Sequence, residues 1–450
     1  MKTILGAGLA GLSCSYHLGH ENCIIFEKNS YCGGHIHSHR ADGFVWDEGP
    51  HVSFTKSDYV RDLFEKSVES HVLEFEVQVA NYYKGSWIPH PAQSNLYAVP
   101  EPLRTKCLND FLAVRSGDEF GEDSAFGDYF EWLNYAFGKT FTDNFPASYT
   151  RKYWTCEPKE LAADWLGKRV FFPDIETVVS GYKEAAHDPT HYITTVRYPG
   201  DGGYDQFCAG LENGARVENN HCIDSIDLNN CVISFANGLK HNYDELINTI
   251  PLPEFIRLAG SGVPLDVRNA AKLLRCSALL LVNVTANHTA LKPYHWLYVY
   301  DEDKYSTRIN HIEMLSPSNA PQGKTGIQVE VYESQYKLFN ISHAEIATAV
   351  IAELKEMGLI ESAESVHTCY IQYANIIFDK KRRDAQNVIL SWLEQFGLVR
   401  EDDDLEPMTD WSTASNLDRG KLALAGRFGQ WKYFWTDDCV LRGKQLGRNS

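Results

Sequence analysis

The stretch from Lys2 to Glu27, KTILGAGLAGLSCSYHLGHENCIIFE, contains two apolar runs separated by a glycine turn and a helical stretch. In order these are Lys2 to Leu5, the turn Gly6-Ala7-Gly8-Leu9-Ala10-Gly11, the helical stretch Leu12 to Leu18, and Cys23 to Glu27. This order predicts one βαβ unit within about 27 residues. Such a unit is typical of an open α/β sheet, so we expect the chain to begin in a Rossmann-like domain.

The turn has the spacing GxGxxG, which alone is a weak signal but here stands between a strand and a helix. Gly6 permits a tight turn, Gly8 lets the backbone approach a pyrophosphate, and Gly11 allows close helix packing. The helix N-terminus adds amide donors and a positive dipole. Glu27 ends the second strand, where its carboxylate can accept hydrogen bonds from ribose hydroxyls. We predict that these four residues bind a dinucleotide; the alternative is an ordinary βαβ turn.

A glycine pair, Gly33-Gly34, follows six and seven residues after Glu27. This arrangement resembles the large flavoprotein group that contains the amine oxidases and protoporphyrinogen oxidase. The resemblance implies that the dinucleotide is FAD rather than NAD, with both glycines in the cofactor site. The alternative is that the pair only turns the chain.

The amino-acid composition limits the classes of binding partner that the protein can have. The 450 residues include 42 Lys and Arg against 60 Asp and Glu, a net charge of -18. An acidic protein repels phosphate backbones and anionic lipid at long range, so we expect no nucleic-acid partner and no membrane surface. The 11 cysteines form no CxxC pair and no zinc spacing, which predicts thiols and no metal site. The longest apolar run, Ala278 to Val282, is too short for a membrane span, and we expect a cytoplasmic protein.

Downstream patterns predict further helices and strands. Apolar spacing indicates a helix around Phe126 to Phe137, strands over Ser277 to Thr285 and Gly326 to Tyr332, a helix over His343 to Met357, a short run Lys421 to Ala425, and a last helix from a Thr436 cap to Leu446. We predict an α/β fold with a Rossmann-like FAD-binding domain, an inserted helical region and a mixed, largely antiparallel sheet domain. The expected boundaries are 1–85 with 200–260 and 405–450 for FAD, 86–199 for a mainly helical substrate region, and 261–404 for a substrate region of antiparallel sheet plus helix.

Five separated blocks resemble the UDP-galactopyranose mutases, with features of the eukaryotic type. They are GFVWDEGPHVSFT at 43–55, WIPHPAQSN at 87–95, WLGKRV at 165–170, Trp296-Leu297-Tyr298 with Arg308, and GRFGQWKY at 426–433. The blocks keep one order over nearly the whole chain.

The resemblance implies a set of site residues. A nucleotide-sugar diphosphate is an anion, and guanidinium groups bind phosphate oxygens bidentately while tyrosine hydroxyls add donors without charge. The implied roles are catalytic for His51 (against the isoalloxazine), Arg169 and Arg308; substrate-binding for Gln93 (uracil), Arg169, Tyr298, Arg308, Tyr373 and Tyr433; and cofactor-binding for His51, Arg427 and Asp437.

The implied activity is that of an isomerase, which interconverts the pyranose and furanose forms of a UDP-hexose through a flavin N5–sugar adduct. It requires reduced FAD, with NAD(P)H or another reductant as partner, and serves galactofuranose and cell-surface polysaccharide biosynthesis. An FAD-dependent oxidoreductase resembling amine oxidases, with a non-nucleotide substrate, is the alternative. A flavin-binding structural or regulatory subunit is a third, because Ala374-Asn375-Ile376-Ile377 replaces a proline- and threonine-rich stretch of the family. The hexose, the nucleotide, the reductant and the oligomeric state stay open.

Overall fold

The computed structural model describes residues 1–116, 126–167, 170–185, 195–400 and 421–447. Its strands are β1 (Lys2–Leu5), β2 (Cys23–Phe26), β3 (Ser38–Ala41), β4 (Phe44–Asp47), β5 (Val72–Glu76), β6 (Val79–Tyr83), β7 (Ser86–Pro89), β8 (Thr195–Pro199), β9 (Val217–Glu218), β10 (Ile223–Asp227), β11 (Val232–Phe235), β12 (Lys240–Asn242), β13 (Glu245–Asn248), β14 (Cys276–Ala286), β15 (Trp296–Val299), β16 (Arg308–His311), β17 (Thr325–Glu333), β18 (Ser365–Ile376) and β19 (Leu422–Leu424). Its helices are α1 (Leu9–Leu18), α2 (Asp58–Ser67), α3 (Leu103–Arg115), α4 (Tyr129–Phe137), α5 (Lys139–Asn144), α6 (Pro146–Tyr153), α7 (Ile175–Lys183), α8 (Ala209–Glu212), α9 (Leu252–Leu258), α10 (Leu265–Leu273), α11 (Ile312–Leu315), α12 (His343–Glu356), α13 (Arg382–Leu393), α14 (Arg427–Gln430) and α15 (Thr436–Gly447).

A five-stranded parallel sheet, in the order β19-β13-β1-β2-β9, contains the predicted βαβ unit. β1 pairs directly with β2, and α1 crosses between them. The helix begins at Leu9, earlier than the predicted Leu12, because Gly8 is its N-cap and Gly11 lies inside it. The carboxyl ends of all five strands lie at one edge, where ligands of open α/β sheets bind.

A seven-stranded sheet, in the order β18-β14-β17-β16-β15-β6-β7, forms the second sheet. Its described pairs are antiparallel apart from β15 with β6, which confirms the prediction of a mixed, largely antiparallel sheet. The predicted strands near 277–285 and 326–332 are the long central strands β14 and β17. α12 packs on this sheet and begins with a capping box, in which the side chains of Ser342 and Glu345 accept from each other's backbone amides.

The inserted helical region comprises α3 to α7. The aromatic spacing predicted a helix from about Phe126, and α4 begins at Tyr129 because the Asp128 side chain caps it by accepting from the Glu131 amide. At the other end of the chain, Thr436 is the first residue of α15 rather than its cap. The domain boundaries stay a prediction. The predicted boundary between residues 85 and 86 falls within the β6–β7 hairpin.

Among the described residues no helix is long and apolar enough to cross a membrane. All 11 cysteines are free thiols, and those at 14, 23, 32, 107, 156 and 208 are buried.

We predict that Gly11→Ala destabilises the βαβ unit. A Cβ on Gly11 would lie 2.0 Å from the Gly6 carbonyl oxygen, so α1 must move away from β1. The expected loss is about 1–3 kcal/mol in the free energy of unfolding, with lower FAD content, measured by urea denaturation and flavin absorbance. Gly262→Ala is the matched control, since a Cβ there meets no atom of the described residues within 4 Å. Equal stability of the two variants would contradict the prediction.

Candidate active site

Two glycine segments meet at the carboxyl edge of the parallel sheet. The Gly33 amide donates to the Ala7 carbonyl at 2.9 Å, and Gly8 and Gly33 form an isolated β-bridge. A Cβ on Gly34, whose φ is +57°, would lie 3.1 Å from the Gly8 Cα. The two segments therefore form one cradle of backbone, and a side chain would fill the contact between them.

Glu27 is held at the end of β2 by this cradle. Its Oε2 accepts from the Ala7 amide at 2.8 Å and its Oε1 accepts from the Asn29 amide at 2.9 Å. The carboxylate is buried. Because each carboxylate oxygen has two acceptor positions, Glu27 retains capacity to accept from hydroxyls while its position is set by backbone.

Arg427 approaches the same edge from the other end of the chain. It begins α14, after Gly426, and a Cβ on Gly426 would lie 2.7 Å from the Ala10 Cβ in the first turn of α1. Its Nη1 donates to the Phe434 carbonyl at 3.3 Å, and its buried Nε has no hydrogen-bond partner among the residues that the structure describes. A positive group with an unsatisfied donor beside a helix N-terminus that lacks acidic residues fits an anionic dinucleotide. The donor set at this edge therefore suits FAD.

The loop that carries His51 is anchored by a buried carboxylate. Asp47 accepts from the Ser38 hydroxyl at 2.6 Å, the Tyr198 hydroxyl at 2.7 Å and the Tyr204 amide at 3.1 Å, and burial raises its pKa to about 6. Four residues on, the Nδ1 of His51 donates to the Gly49 carbonyl at 2.9 Å. Burial lowers the pKa of His51 to about 4, so the imidazole is neutral at pH 7.

Arg308, on β16, forms a part-buried ion pair with Glu330, its partner across the sheet on β17. Its Nε donates to Oε2 at 2.6 Å and its Nη2 donates to Oε1 at 2.7 Å. The Glu330 side chain is 2% exposed and the Arg308 side chain 24%. Glu330 also accepts from the Tyr332 hydroxyl at 2.8 Å. The bidentate carboxylate keeps the pKa of Arg308 well above its usual range despite burial.

Tyrosines surround this ion pair. The ring of Tyr298, which faces Arg308 across the β15–β16 pair, lies 5.4 Å from the ring of Tyr149 on α6. The ring of Tyr153, one helical turn further along, lies 4.9 Å from that of Tyr332. Burial raises the pKa of each of these four hydroxyls, so they are neutral hydrogen-bond donors at physiological pH.

Two contacts join the ion pair of Arg308 and Glu330, with its surrounding tyrosines, to the carboxyl edge of the parallel sheet. A Cβ on Gly49 would lie 3.1 Å from the Glu330 Oε1, so the His51 loop packs against the ion pair. The Asn375 Oδ1 accepts from Tyr153 at 3.0 Å and from the Arg427 Nη2 at 3.1 Å. The structure thus brings His51, Arg308, Tyr298 and Arg427 into one site.

The other predicted site residues differ in their placement. The ring of Tyr433 lies 5.1 Å from the Arg427 guanidinium and stacks on Trp165 at 5.8 Å. Tyr373 contacts Phe428, with ring centres 5.8 Å apart. Asp437 is in the first turn of α15, where burial raises its pKa. Their roles stay predictions.

Gln93 and Arg169 are the two remaining substrate predictions. Gln93 lines a small cavity in the helical region, among apolar side chains of α3, α4, α5 and α7. Its assignment to uracil stays a prediction. Arg169, the second predicted diphosphate ligand, lies outside the described residues.

Sequence reasoning missed Glu330, Tyr149, Tyr153, Tyr332 and Asn375. Glu330 had a usable signal, since it is the one charged residue within the otherwise uncharged run Gly326 to Tyr332. A buried strand tolerates a carboxylate only with a partner. The tyrosines carried no such signal, because 24 tyrosines occur in the chain and their convergence depends on packing.

Residues 9–373 match the family of flavin-containing amine oxidoreductases. The chain belongs to this family of flavin enzymes, and its cofactor is FAD. Among solved structures, a reduced UDP-galactopyranose mutase is similar with a TM-score of 0.86 and 22% identity, covering 99% of this chain and 92% of the other. A protein assigned as a protoporphyrinogen oxidase from Exiguobacterium sp. 255-15 gives a TM-score of 0.71 and 15% identity, covering 99% and 97%.

Among curated relatives, the 4,4'-diapophytoene desaturase of Staphylococcus aureus is 30% identical over 90 residues. The match covers 19% of this chain and 18% of the desaturase. At these identities the solved structures establish the fold, and the family establishes the flavin.

We predict that Arg308→Met costs about 3–5 kcal/mol in the free energy of unfolding, because it leaves the Glu330 carboxylate buried without its partner. The double variant Arg308→Met/Glu330→Gln should recover a large part of that loss in urea denaturation. Lys324→Met removes an exposed ion pair with Glu364 and should cost less than about 1 kcal/mol. Additive losses in the double variant would contradict the buried pair.

We predict that His51 contributes to acid destabilisation. Its pKa is lowered in the folded protein, so between pH 6.5 and 4 the unfolded chain binds the proton first and stability falls as the pH falls. Removing the ring in His51→Gln should reduce this fall by about 1–3 kcal/mol, measured by urea denaturation across that range. The same pH slope in both proteins would show that His51 titrates normally.

Proposed function

We propose that this protein is a flavin-dependent nucleotide-sugar mutase, an isomerase that interconverts the pyranose and furanose forms of a UDP-hexose. The observation that carries the proposal is the half-buried Arg308, paired with the buried Glu330, surrounded by neutral tyrosines and packed against the His51 loop. The likeness of the whole fold to a UDP-galactopyranose mutase supports it. Galactofuranose metabolism and cell-surface polysaccharide synthesis are the corresponding setting.

Arg308 and the surrounding tyrosines, Tyr149, Tyr153, Tyr298 and Tyr332, are here called the Arg308 group. This group suits a diphosphate. The ion pair with Glu330 uses Nε and Nη2, so the two N–H groups of Nη1 are not committed to that carboxylate. Guanidinium N–H groups and neutral phenol hydroxyls together can surround phosphate oxygens without a large local excess of charge. Arg169 is proposed as the second cation. This local arrangement offsets the long-range repulsion that a net charge of -18 imposes on an anion.

Reduced FAD, when bound, supplies the nucleophile for the ring interconversion, and the reaction has no net redox change. The chain's own residues then bind and orient. Arg308, Tyr298 and Tyr149 hold the diphosphate, whereas the Tyr332 and Tyr153 hydroxyls already donate to Glu330 and Asn375. The neutral His51 presents an uncharged imidazole next to this group. Asn375 holds Tyr153 and Arg427 in a fixed relation. A reductant such as NAD(P)H is the proposed partner that keeps the enzyme active.

An FAD-dependent oxidoreductase on a non-nucleotide substrate is the second candidate. The amine oxidoreductase family supports it, as does the local match to a desaturase. An oxidoreductase needs an electron acceptor in every turnover, whereas a mutase does not. The two candidates therefore differ in stoichiometry as well as in substrate.

We predict that dithionite-reduced protein converts UDP-galactofuranose to UDP-galactopyranose and that the oxidised protein does not. Chromatography of the nucleotide sugars measures the conversion. Arg308→Lys should lower kcat/KM about 100-fold or more, because an ammonium cannot bind bidentately. Arg61→Lys alters an exposed arginine that pairs with Asp58 and should leave the rate unchanged.

Absence of a ring isomer with UDP-, GDP- and dTDP-hexoses would overturn the proposal. Oxygen consumption with a neutral or amine substrate, in a separate aerobic assay, would instead establish the oxidoreductase.

A further inference from the structure

Lys152, on α6, is a buried lysine that the proposed mutase reaction does not use. Its side chain belongs to a residue only 4% exposed. Its Nζ donates to the carbonyls of Val299 at 3.0 Å, Asp301 at 2.7 Å and Ser306 at 2.7 Å. An ammonium group has three N–H donors, and here all three reach backbone oxygen.

These three carbonyls belong to one segment. Val299 ends β15, Arg308 begins β16, and residues 300–307 connect the two strands. The lysine therefore holds both ends of this connection, which we call the β15–β16 loop. A loop that turns its carbonyls inward needs buried donors for them, and one side chain supplies three.

A carboxylate holds the loop from its other side. Glu353, on α12, accepts from the Tyr305 amide at 2.7 Å through Oε1. Its Oε2 accepts from the Ser306 amide at 2.9 Å and the Ser306 hydroxyl at 2.6 Å. The peptide groups of Ser306 thus lie between an ammonium and a carboxylate, both buried.

The loop matters because of what flanks it. Tyr298 lies on the strand before it and Arg308 begins the strand after it, as Cα partners across the pair. Lys152 itself comes between Tyr149 and Tyr153 on α6. A single side chain therefore ties the helix that carries two site tyrosines to the hairpin that carries a third tyrosine and the arginine.

Burial of a charged ammonium costs free energy, which a side chain that only filled space would not incur. Burial lowers the pKa of Lys152 to about 7, because the loss of hydration exceeds the attraction of Glu353 and Asp301. A methionine would occupy similar volume without that cost, but it would remove one donor from each of the three buried carbonyls. The Asp301 carbonyl would keep the Lys304 amide at 3.3 Å. The charge is thus matched to the loop geometry.

We propose that Lys152 is a positioning residue of the active site. Opposed by Glu353 across Ser306, it holds the β15–β16 loop so that Arg308 and Tyr298 face the tyrosines of α6, and it thereby sets the affinity for a nucleoside diphosphate. This inference rests on the proposed function, since it takes the Arg308 group to be the diphosphate site.

The test compares Lys152→Met with the wild-type holoenzyme. The dissociation constant for UDP, from titration of flavin absorbance, should rise tenfold or more. Hydrogen exchange measured by mass spectrometry should accelerate over residues 299–308. FAD content and hydrogen exchange over β1 should not change, whereas a general loss of folding would alter both. Lys139→Met, at an exposed ion pair with Asp143 on α5, is the control.

Glu353→Gln is the second variant and carries the test if Lys152→Met does not fold. It should loosen the same segment and weaken UDP binding about threefold or more. Unchanged UDP affinity in a folded variant, with or without faster exchange, would overturn the positioning role while leaving the proposed function intact. Failure of the wild-type holoenzyme to bind UDP would instead overturn the proposed function, and this inference with it.

Discussion

The contact between Gly11 and the Gly6 carbonyl is the constraint on which the carboxyl edge depends. Because neither residue carries a side chain, α1 lies directly against the end of β1 and begins at Leu9. Its open N-terminus then points to the edge where Glu27 and Arg427 also lie. Any added Cβ at Gly11 separates these parts, so the cofactor site follows from one close backbone approach.

A second constraint is charge. A chain with a net charge of -18 must hold two anions, FAD and the proposed nucleotide sugar, at short range. In the structure each of three positive groups is hydrogen-bonded to a fixed partner. Arg308 donates to Glu330, Arg427 donates to Asn375, and Lys152 donates to backbone carbonyls. Each cation is thereby held in one orientation, and the Glu330 carboxylate offsets the charge of Arg308.

Much of the fold could be predicted, because its signals are local. The strand pattern at 277–285, the helical spacing over His343 to Met357 and the glycine turn each depend on residues within a few positions. His51, Arg308, Tyr298 and Arg427 were predicted from a family resemblance, and the structure brings these four together. Glu330, Tyr153 and Asn375 were missed, because their significance lies in partners far away in the chain.

The sequence by itself determined the βαβ unit, since spacing and residue type suffice for it, and its resemblance to known families implied the flavin and the role of Arg308. Only the tertiary structure decided that Arg308 is paired with Glu330, and that Lys152 reaches across 147 to 154 residues to the β15–β16 loop. The physical reason is that strand register and helix packing place these groups together, and both result from the summed burial of many apolar side chains rather than from any local pattern.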